Sequence, residues 1–423
     1  MIRIEVAETG RTRARLNTEQ GRRLAASGLV AAAPSPYDPG SWDLTSTGKV
    51  GVARVGDVEI WITPKLPIDR LLFLVGYAAD PRGWRDDTVL MDARAGLVPA
   101  VSQALWRQTT SALAGGLLQG YRTIEESSLV LRGRLREADQ IRRHYGLAIP
   151  MEIRHDEFTV DIPENQILLA AITRLLTVPR LDAESRRRLS ALRVRLADVT
   201  SLVRGDQLPD WQPSRLNRRY HTALRLAEIV WKATTPEHAQ GPVAANGFLF
   251  NLPKIFEDFV TVAIAEHLRT IEAGTARMQY PCHLDEARTV RMRPDLVWTR
   301  AGQPTAVVDA KYKREQPHGH PNADLYQMLA YCTTLGLARG HLIYAAGSAQ
   351  PAQHVVRRAG IEIHCHALNL TQPPHLILNQ VRHISDTLRV SLPVPSVVPG
   401  MSPASSATAS RRDHASGTAG SLP

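Results

Sequence analysis

The chain has 423 residues, with 51 Lys and Arg against 41 Asp and Glu and a formal net charge of +10. That length suits two or three domains with real cores, and the basic balance, with a pI near 9.8, favours polyanionic partners without naming one. Three cysteines, Cys282, Cys332 and Cys365, are too few and too scattered for a disulfide framework. They read as a reduced, cytoplasmic protein. No apolar run approaches the ~18 residues that a spanning helix needs. Residues 71–79 are too short, and the opening MIRIEVAETGRTRARL lacks a signal-peptide core, so no membrane partner is expected.

In chain order, residues 2–6, 42–45, 50–55 and 58–63 are short β-like runs punctuated by Gly48, Gly51 and Gly56-Asp57. They predict a small β-rich module within residues 1–97. From residue 98 to about 120, Val101, Leu105, Trp106, Leu113 and Leu117 recur at helical spacings. They open a mainly helical middle region, 98–240. Within it, Asp161 and Asn165 sit where turn and helix-start chemistry is expected. Residues 181–199 form a basic amphipathic helix with Arg186, Arg187, Arg188, Arg193 and Arg195. Such a helix is either a solvated face or a surface lying along DNA. Another helix is expected over 215–231 and a linker over 234–247. Residues 241–390 predict a helix at 254–268, a hairpin, a helix at 322–336 and strands at 341–346 and 360–367. That is a helix-flanked mixed sheet. After Pro393 the chain turns to Pro, Ser, Ala and Gly without apolar periodicity, so 391–423 predict a disordered tail. The expected class is α/β and β multidomain.

The chemistry concentrates in 290–314, VRMRPDLVWTRAGQPTAVVDAKYKR. Two strand-like runs flank a loop containing Gly302 and Pro304, which is a hairpin signal. With the turn centred on Gly302, Asp295 and Asp309 lie seven residues either side of it and face each other. Opposed residues have Cβ atoms about 4.5–5.5 Å apart. Lys311, two residues beyond Asp309, projects from the same face. Carboxylates held this close repel unless a cation or a proton separates them, and oxygen-only ligands favour Mg²⁺ or Mn²⁺. The bland alternative is a surface hairpin whose acids solvate a sheet face. The apolar Leu296-Val297 and Val307-Val308 argue instead for buried strands whose charges need partners.

Arg293-Pro294-Asp295 followed by Asp309-Ala310-Lys311 resembles the PD-(D/E)xK nuclease signature. Downstream, Asp324-Leu325-Tyr326-Gln327-Met328-Leu329-Ala330-Tyr331 is similar to the QxxxY element of that superfamily. Upstream, Lys254-Ile255-Phe256-Glu257-Asp258-Phe259-Val260 is similar to its first helix. Residues 51–66, GVARVGDVEIWITPKL, with the apolar 71–74 after them, resemble the N-terminal module of McrC. That protein is the nuclease subunit of the McrBC modification-dependent restriction system. The segments LRGRL (131–135) and DEFTVDIPENQIL (156–168) resemble the middle of McrC-type proteins, where a strand containing Gly-Arg precedes an acidic strand, a D-x-x-x-N turn and a long helix.

What the resemblance implies is a PD-(D/E)xK α/β core that cuts double-stranded DNA, working with a GTP-hydrolysing AAA+ ring of the McrB type. The ring would recognise modified cytosine, and the N-terminal half of this chain would dock on it. Asp295 and Asp309 would hold Mg²⁺, with Mn²⁺ as a substitute, and Glu257 would complete the metal shell. Lys311 would steady the attacking water and the transition-state charge. Gln327 and Tyr331, at i and i+4, would orient the DNA backbone. No Walker-type loop is present, so no nucleotide is expected on this chain. Two other readings stay open: a stand-alone nuclease of repair or another defence pathway, and a non-catalytic DNA-binding adaptor. His318, His320 and the His364-Cys365-His366 triplet lack a second pair at ligand spacing, so structural zinc is not expected.

Overall fold

The computed structural model describes residues 1–81, 96–145, 147–179, 181–203, 206–234, 246–312, 322–345 and 352–388. The expected tail, His318, His320 and most of the expected linker lie outside the described residues.

The N-terminal part contains β1 (Ile2–Ala7), β2 (Arg11–Arg15), α1 (Thr18–Ser27), β3 (Val30–Pro34), β4 (Ser41–Ser46), β5 (Lys49–Val55), β6 (Val58–Thr63) and α2 (Ile68–Ala79). Strands β2-β4-β3 make one antiparallel sheet. In a second sheet β1 runs parallel to β6, and β6 runs antiparallel to β5. Helix α1 was not among the expected elements, although its start is written in the sequence. Asn17 and Gln20 cap each other's backbone reciprocally, which satisfies two orphan helix donors at once.

The middle part contains α3 (Leu97–Ala112), β7 (Gly120–Ser128), β8 (Arg134–Leu135), α4 (Glu137–His144), β9 (Met151–Thr159), α5 (Pro163–Leu176), α6 (Ala183–Arg195) and α7 (His221–Thr234). Helices α3, α5, α6 and α7 pack together, as the apolar spacing predicts. The sheet β7-β9-β8 adds strands to a mainly helical region, and β8 and β9 run where the resemblance implies a strand with Gly-Arg and an acidic strand. Its strands are polar and largely exposed, so no apolar alternation advertised them. Asn165 lies in the first turn of α5, at the expected helix start, and its Nδ2 donates to the carbonyls of Leu118 and Val160. The α6 arginines are mostly engaged within the chain. Arg195 donates to the Leu113 carbonyl at 2.7 Å, Arg188 stacks 4.3 Å over Trp106, and Arg187 pairs with Glu184. That favours the solvated-face reading.

The remaining elements are β10 (Asn246–Asn251), α8 (Leu252–Ile271), β11 (Thr275–Met278), β12 (Cys282–His283), β13 (Arg291–Met292), β14 (Leu296–Arg300), β15 (Gln303–Lys311), α9 (Asn322–Leu335), β16 (Arg339–Ala345), β17 (Ala352–Val355), β18 (Glu362–Leu368) and α10 (Pro374–Leu388). Strand β10 pairs antiparallel with β5 and completes the N-terminal sheet in the order β1-β6-β5-β10. The strand just past the boundary expected at residue 241 therefore belongs to the N-terminal sheet. Gly51, at φ +131°, permits this: a Cβ there would sit 2.1 Å from the Phe248 carbonyl oxygen. From β10 the chain enters α8 directly. Phe256 and Phe259 on α8 are fully buried, worth about 1.5–3 kcal/mol each. Phe259 meets Phe73 and Tyr77 of α2 at ring distances of 5.3 and 5.6 Å.

The six-stranded sheet runs β11-β14-β15-β16-β18-β17. Its centre, β15-β16-β18, is parallel and its flanks are antiparallel, so the mixed sheet expected for this half is present. Helix α9 packs on its face. No helix among the described residues is long and apolar enough to cross a membrane.

Candidate active site

Strands β14 and β15 are joined by Ala301 and Gly302, with φ of 49° and 80°. Two left-handed residues in a two-residue loop match the twist of a hairpin. That turn sets Arg300 opposite Gln303, which by itself would bring Asp295 level with Val308. One bulged residue corrects the register. Thr299 pairs with Pro304 and Trp298 with Ala306, which leaves Thr305 unpaired. The Thr305 hydroxyl donates to the Trp298 carbonyl at 3.2 Å. Beyond the bulge Leu296 faces Val308, so the next step brings Asp295 level with Asp309. The expected alignment is reached through a shorter turn plus a bulge.

Both acids are buried, Asp295 at 7 % and Asp309 at 2 % exposure. The Asp295 carboxylate is held on both oxygens. Oδ1 accepts from Gln279 Nε2 at 2.7 Å, and Oδ2 accepts from the Ala310 backbone N–H at 2.9 Å. Asp309 Oδ2 meets the Lys311 ammonium in a close ion pair but takes no well-directed hydrogen bond. Burial, then the Asp295 charge, pushes the Asp309 carboxyl up to about 6 despite Lys311. Burial draws the Lys311 ammonium down, but Asp309, Asp295 and Asp324 outweigh it and the net shift is upward. On α8, burial and then the Asp295 charge raise the Glu257 carboxyl to about 7. Glu257 and the hairpin acids thus share one electrostatic field.

This donor set suits a hard divalent cation, because too little positive charge faces too many carboxylates. Among the described residues, however, no three His, Cys, Asp or Glu side chains are gathered closely enough to hold a metal ion. Mg²⁺ needs only one or two carboxylates and fills its remaining positions with water and substrate oxygens. Asp295 and Asp309 meet that requirement. Glu257 lies within their field without completing a ready-made cage.

The QxxxY pair divides. Gln327 is exposed, whereas Tyr331 is 3 % exposed and packs with Val297, Val307 and Met328. Burial, then Asp309 and Asp295, raises the Tyr331 phenol. Tyr331 therefore lies beneath the acids and offers little surface to a DNA backbone. Two participants escaped the sequence reading. Gln279 holds Asp295 from 16 residues upstream, a separation that carries no periodic signal. Asp324, at 3 % exposure, takes the Tyr344 hydroxyl at 3.3 Å and contributes to the field on Lys311. Its place in the first turn of α9 reads from sequence as ordinary helix-start chemistry.

On the other face of the six-stranded sheet, His341, His364 and His366 form a stacked file. His341 Nδ1 lies 3.0 Å from His366 Nε2. Cys365 faces away from them, in the apolar cluster with Tyr331.

The family model for the McrBC 5-methylcytosine restriction system component matches residues 44–345. Among solved structures, a chain of a refined half-complex is similar over 91 % of this chain and 100 % of its own. That half-complex comes from a tetradecameric assembly of Thermococcus gammatolerans McrB AAA+ hexamers with bound McrC. The sequence identity is 17 % and the TM-score 0.57, a likeness of fold. A chain of the Thermococcus gammatolerans McrBC complex matches at 17 % identity and a TM-score of 0.37, over 63 % of this chain and 88 % of its own. That is too distant to carry an argument. No curated protein matches.

Proposed function

The chain belongs to the McrBC 5-methylcytosine restriction system component family, and from that premise we propose that it is the Mg²⁺-dependent DNA endonuclease subunit of such a system. In this reading the six-stranded sheet is a PD-(D/E)xK core, and cutting is switched on by a GTP-hydrolysing AAA+ partner of the McrB type. The observation that carries the reading is the level pair Asp295 and Asp309, buried beside Lys311 with an excess of negative charge.

Asp295 and Asp309 would hold the ion. Mg²⁺ bound there supplies Lewis acidity to the scissile phosphodiester and acidifies a water. The chain's own residues do the rest. Gln279 and the Ala310 N–H fix the Asp295 carboxylate, so its geometry is set before substrate arrives. Lys311 carries its proton at Nζ and offers positive charge where phosphate charge accumulates. Glu257, with a carboxyl near 7, is only partly ionised at neutral pH and would ionise further if positive charge entered the site. Exposed Gln327 would touch a backbone phosphate, while buried Tyr331 would support the floor under the acids.

The assembly of McrB AAA+ hexamers with bound McrC suggests the partner. The middle sheet supports a docking role, since Tyr121, Leu129, Leu131, Ile141, Tyr145 and Leu147 are all more than half exposed around it. Clustered exposed apolar residues on this scale mark interaction surfaces.

Methylated and unmethylated plasmid incubated with Mg²⁺, with and without the McrB-type partner and GTP, tests the proposal. Cleavage that requires methylation, partner and GTP, and that Asp309→Ala abolishes, is expected. Robust cutting by the isolated chain overturns the subunit role, and cutting unchanged in Asp309→Ala overturns the site.

A further inference from the structure

Tyr312 follows Lys311 at the end of β15, and alternation turns it to the opposite face of the sheet. There its ring packs against Phe256 of α8 at 5.8 Å, one residue before Glu257. Its hydroxyl donates to Glu8 Oε1 at 2.8 Å, a bond that joins residues 304 positions apart. Glu8 is itself fixed on three sides. Its N–H donates to the Thr63 carbonyl at 3.0 Å, and its Oε2 accepts from the Lys65 N–H at 2.7 Å. It therefore gathers the ends of β1 and β6 and the turn that leads into α2. One phenol thus touches the strand carrying Asp309 and Lys311, the helix carrying Glu257, and the N-terminal sheet.

We infer that Tyr312 and Glu8 form a positioning link that holds the Lys311 end of β15 and ties the cutting centre to the N-terminal sheet. The inference rests on the endonuclease reading for its consequence and on geometry for its existence. A charge-assisted hydrogen bond is short and directional. The last residue of a strand has few ladder bonds to hold it, so a bond from its immediate neighbour fixes it disproportionately. The N-terminal sheet also contains β10, which runs directly into α8. A shift of that sheet therefore reaches the active centre along two routes, β10 to Glu257 and Glu8 to Lys311. Helix α7 of the middle part packs on β10, so a load on the middle helices reaches the same sheet. This assigns transmission to the N-terminal sheet, separate from the surface that would grip a partner.

The test uses the full chain with its McrB-type partner, GTP, Mg²⁺ and methylated plasmid. Tyr312→Phe keeps the ring on Phe256 and removes only the hydroxyl. Glu8→Ala removes the acceptor, and Glu8→Gln keeps a carbonyl able to accept. Each of the first two is expected to lower kcat about ten- to a hundredfold, the size of a small misplacement of a catalytic group, with KM for DNA unchanged. The double variant should be no worse than the poorer single one, and Glu8→Gln should recover part of the rate. Full activity in Tyr312→Phe, or additive losses in the double variant, overturns the link. Hydrogen exchange over 303–312 gives an independent readout that needs no cleavage. Faster exchange there in both variants, with β1 still protected, supports the link, and unchanged exchange overturns it. A wild-type chain that fails to cut refutes the endonuclease reading, and the exchange result then decides the link alone.

Discussion

Asp309 in the six-stranded sheet and Glu152 in the middle sheet are buried to the same degree, at 2 % and 1 % exposure, yet their carboxyls shift in opposite directions. Glu152 is held below the usual range, first by hydrogen bonds from Ser127 and His144 and then by nearby charge. Arg136 and Arg143 also pair with it, and its backbone N–H donates to Gln140. Asp309 is raised to about 6, because burial and Asp295 outweigh the Lys311 cation. A buried charge with a full set of partners is structure. A buried charge short of partners, set in a pair, is a place prepared to receive one. The middle sheet turns its ionic network to its own cohesion and leaves its apolar side chains outside. The six-stranded sheet does the reverse.

Substituting each acid is the strongest way to break that contrast. Asp309→Ala should lower cleavage by about a thousandfold or more without lowering the melting temperature, since it relieves repulsion. Glu152→Ala should lower the melting temperature by orphaning its partners while cutting persists wherever the protein is folded. Thermal melts beside plasmid cleavage separate the two, and the reverse pattern would refute the assignment. At the proposed docking surface, replacing Leu131 and Tyr145 with Asp should weaken binding of the McrB-type partner about ten- to a hundredfold, read by calorimetry. Isolated-chain stability should not change, as both side chains are exposed.

A smaller effect is expected from pH. The folded Glu257 carboxyl sits near 7 against an ordinary value of 4.5, and Asp309 near 6 against 3.8. Their folded pKa values are raised, so the stability they contribute is present below about pH 4 and is lost as pH rises through 6 to 7. In metal-free buffer the chain should lose stability between pH 4 and 7 relative to Glu257→Gln. The difference should be on the order of 1 kcal/mol once the partial exposure of Glu257 is allowed for. Added Mg²⁺ should reverse the trend. Smallest of all, Arg187→Glu on α6 should change DNA affinity by less than about threefold, because exposed pairs such as Arg187 with Glu184 contribute little. A steep loss would move that helix into the DNA interface.

Much of the site was legible because its signals are local. The apolar runs around Gly302, the two-residue step from Asp309 to Lys311 and the helix bearing Gln327 and Tyr331 all follow periods of 2 or 3.6 that any window of sequence displays. Pattern alone therefore determined that a hairpin carries two acids and a lysine on one face, with helices before and after it. Tertiary structure decided what pattern cannot express. The bulge at Thr305 sets the acids level, Gln279 fixes Asp295 across a loop, and packing hides Tyr331 while Gln327 stays exposed. Strand β10 joins the N-terminal sheet, and Tyr312 reaches Glu8 across 304 positions. Each of these depends on which distant segments meet, and a contact between distant segments leaves no spacing in the sequence to read.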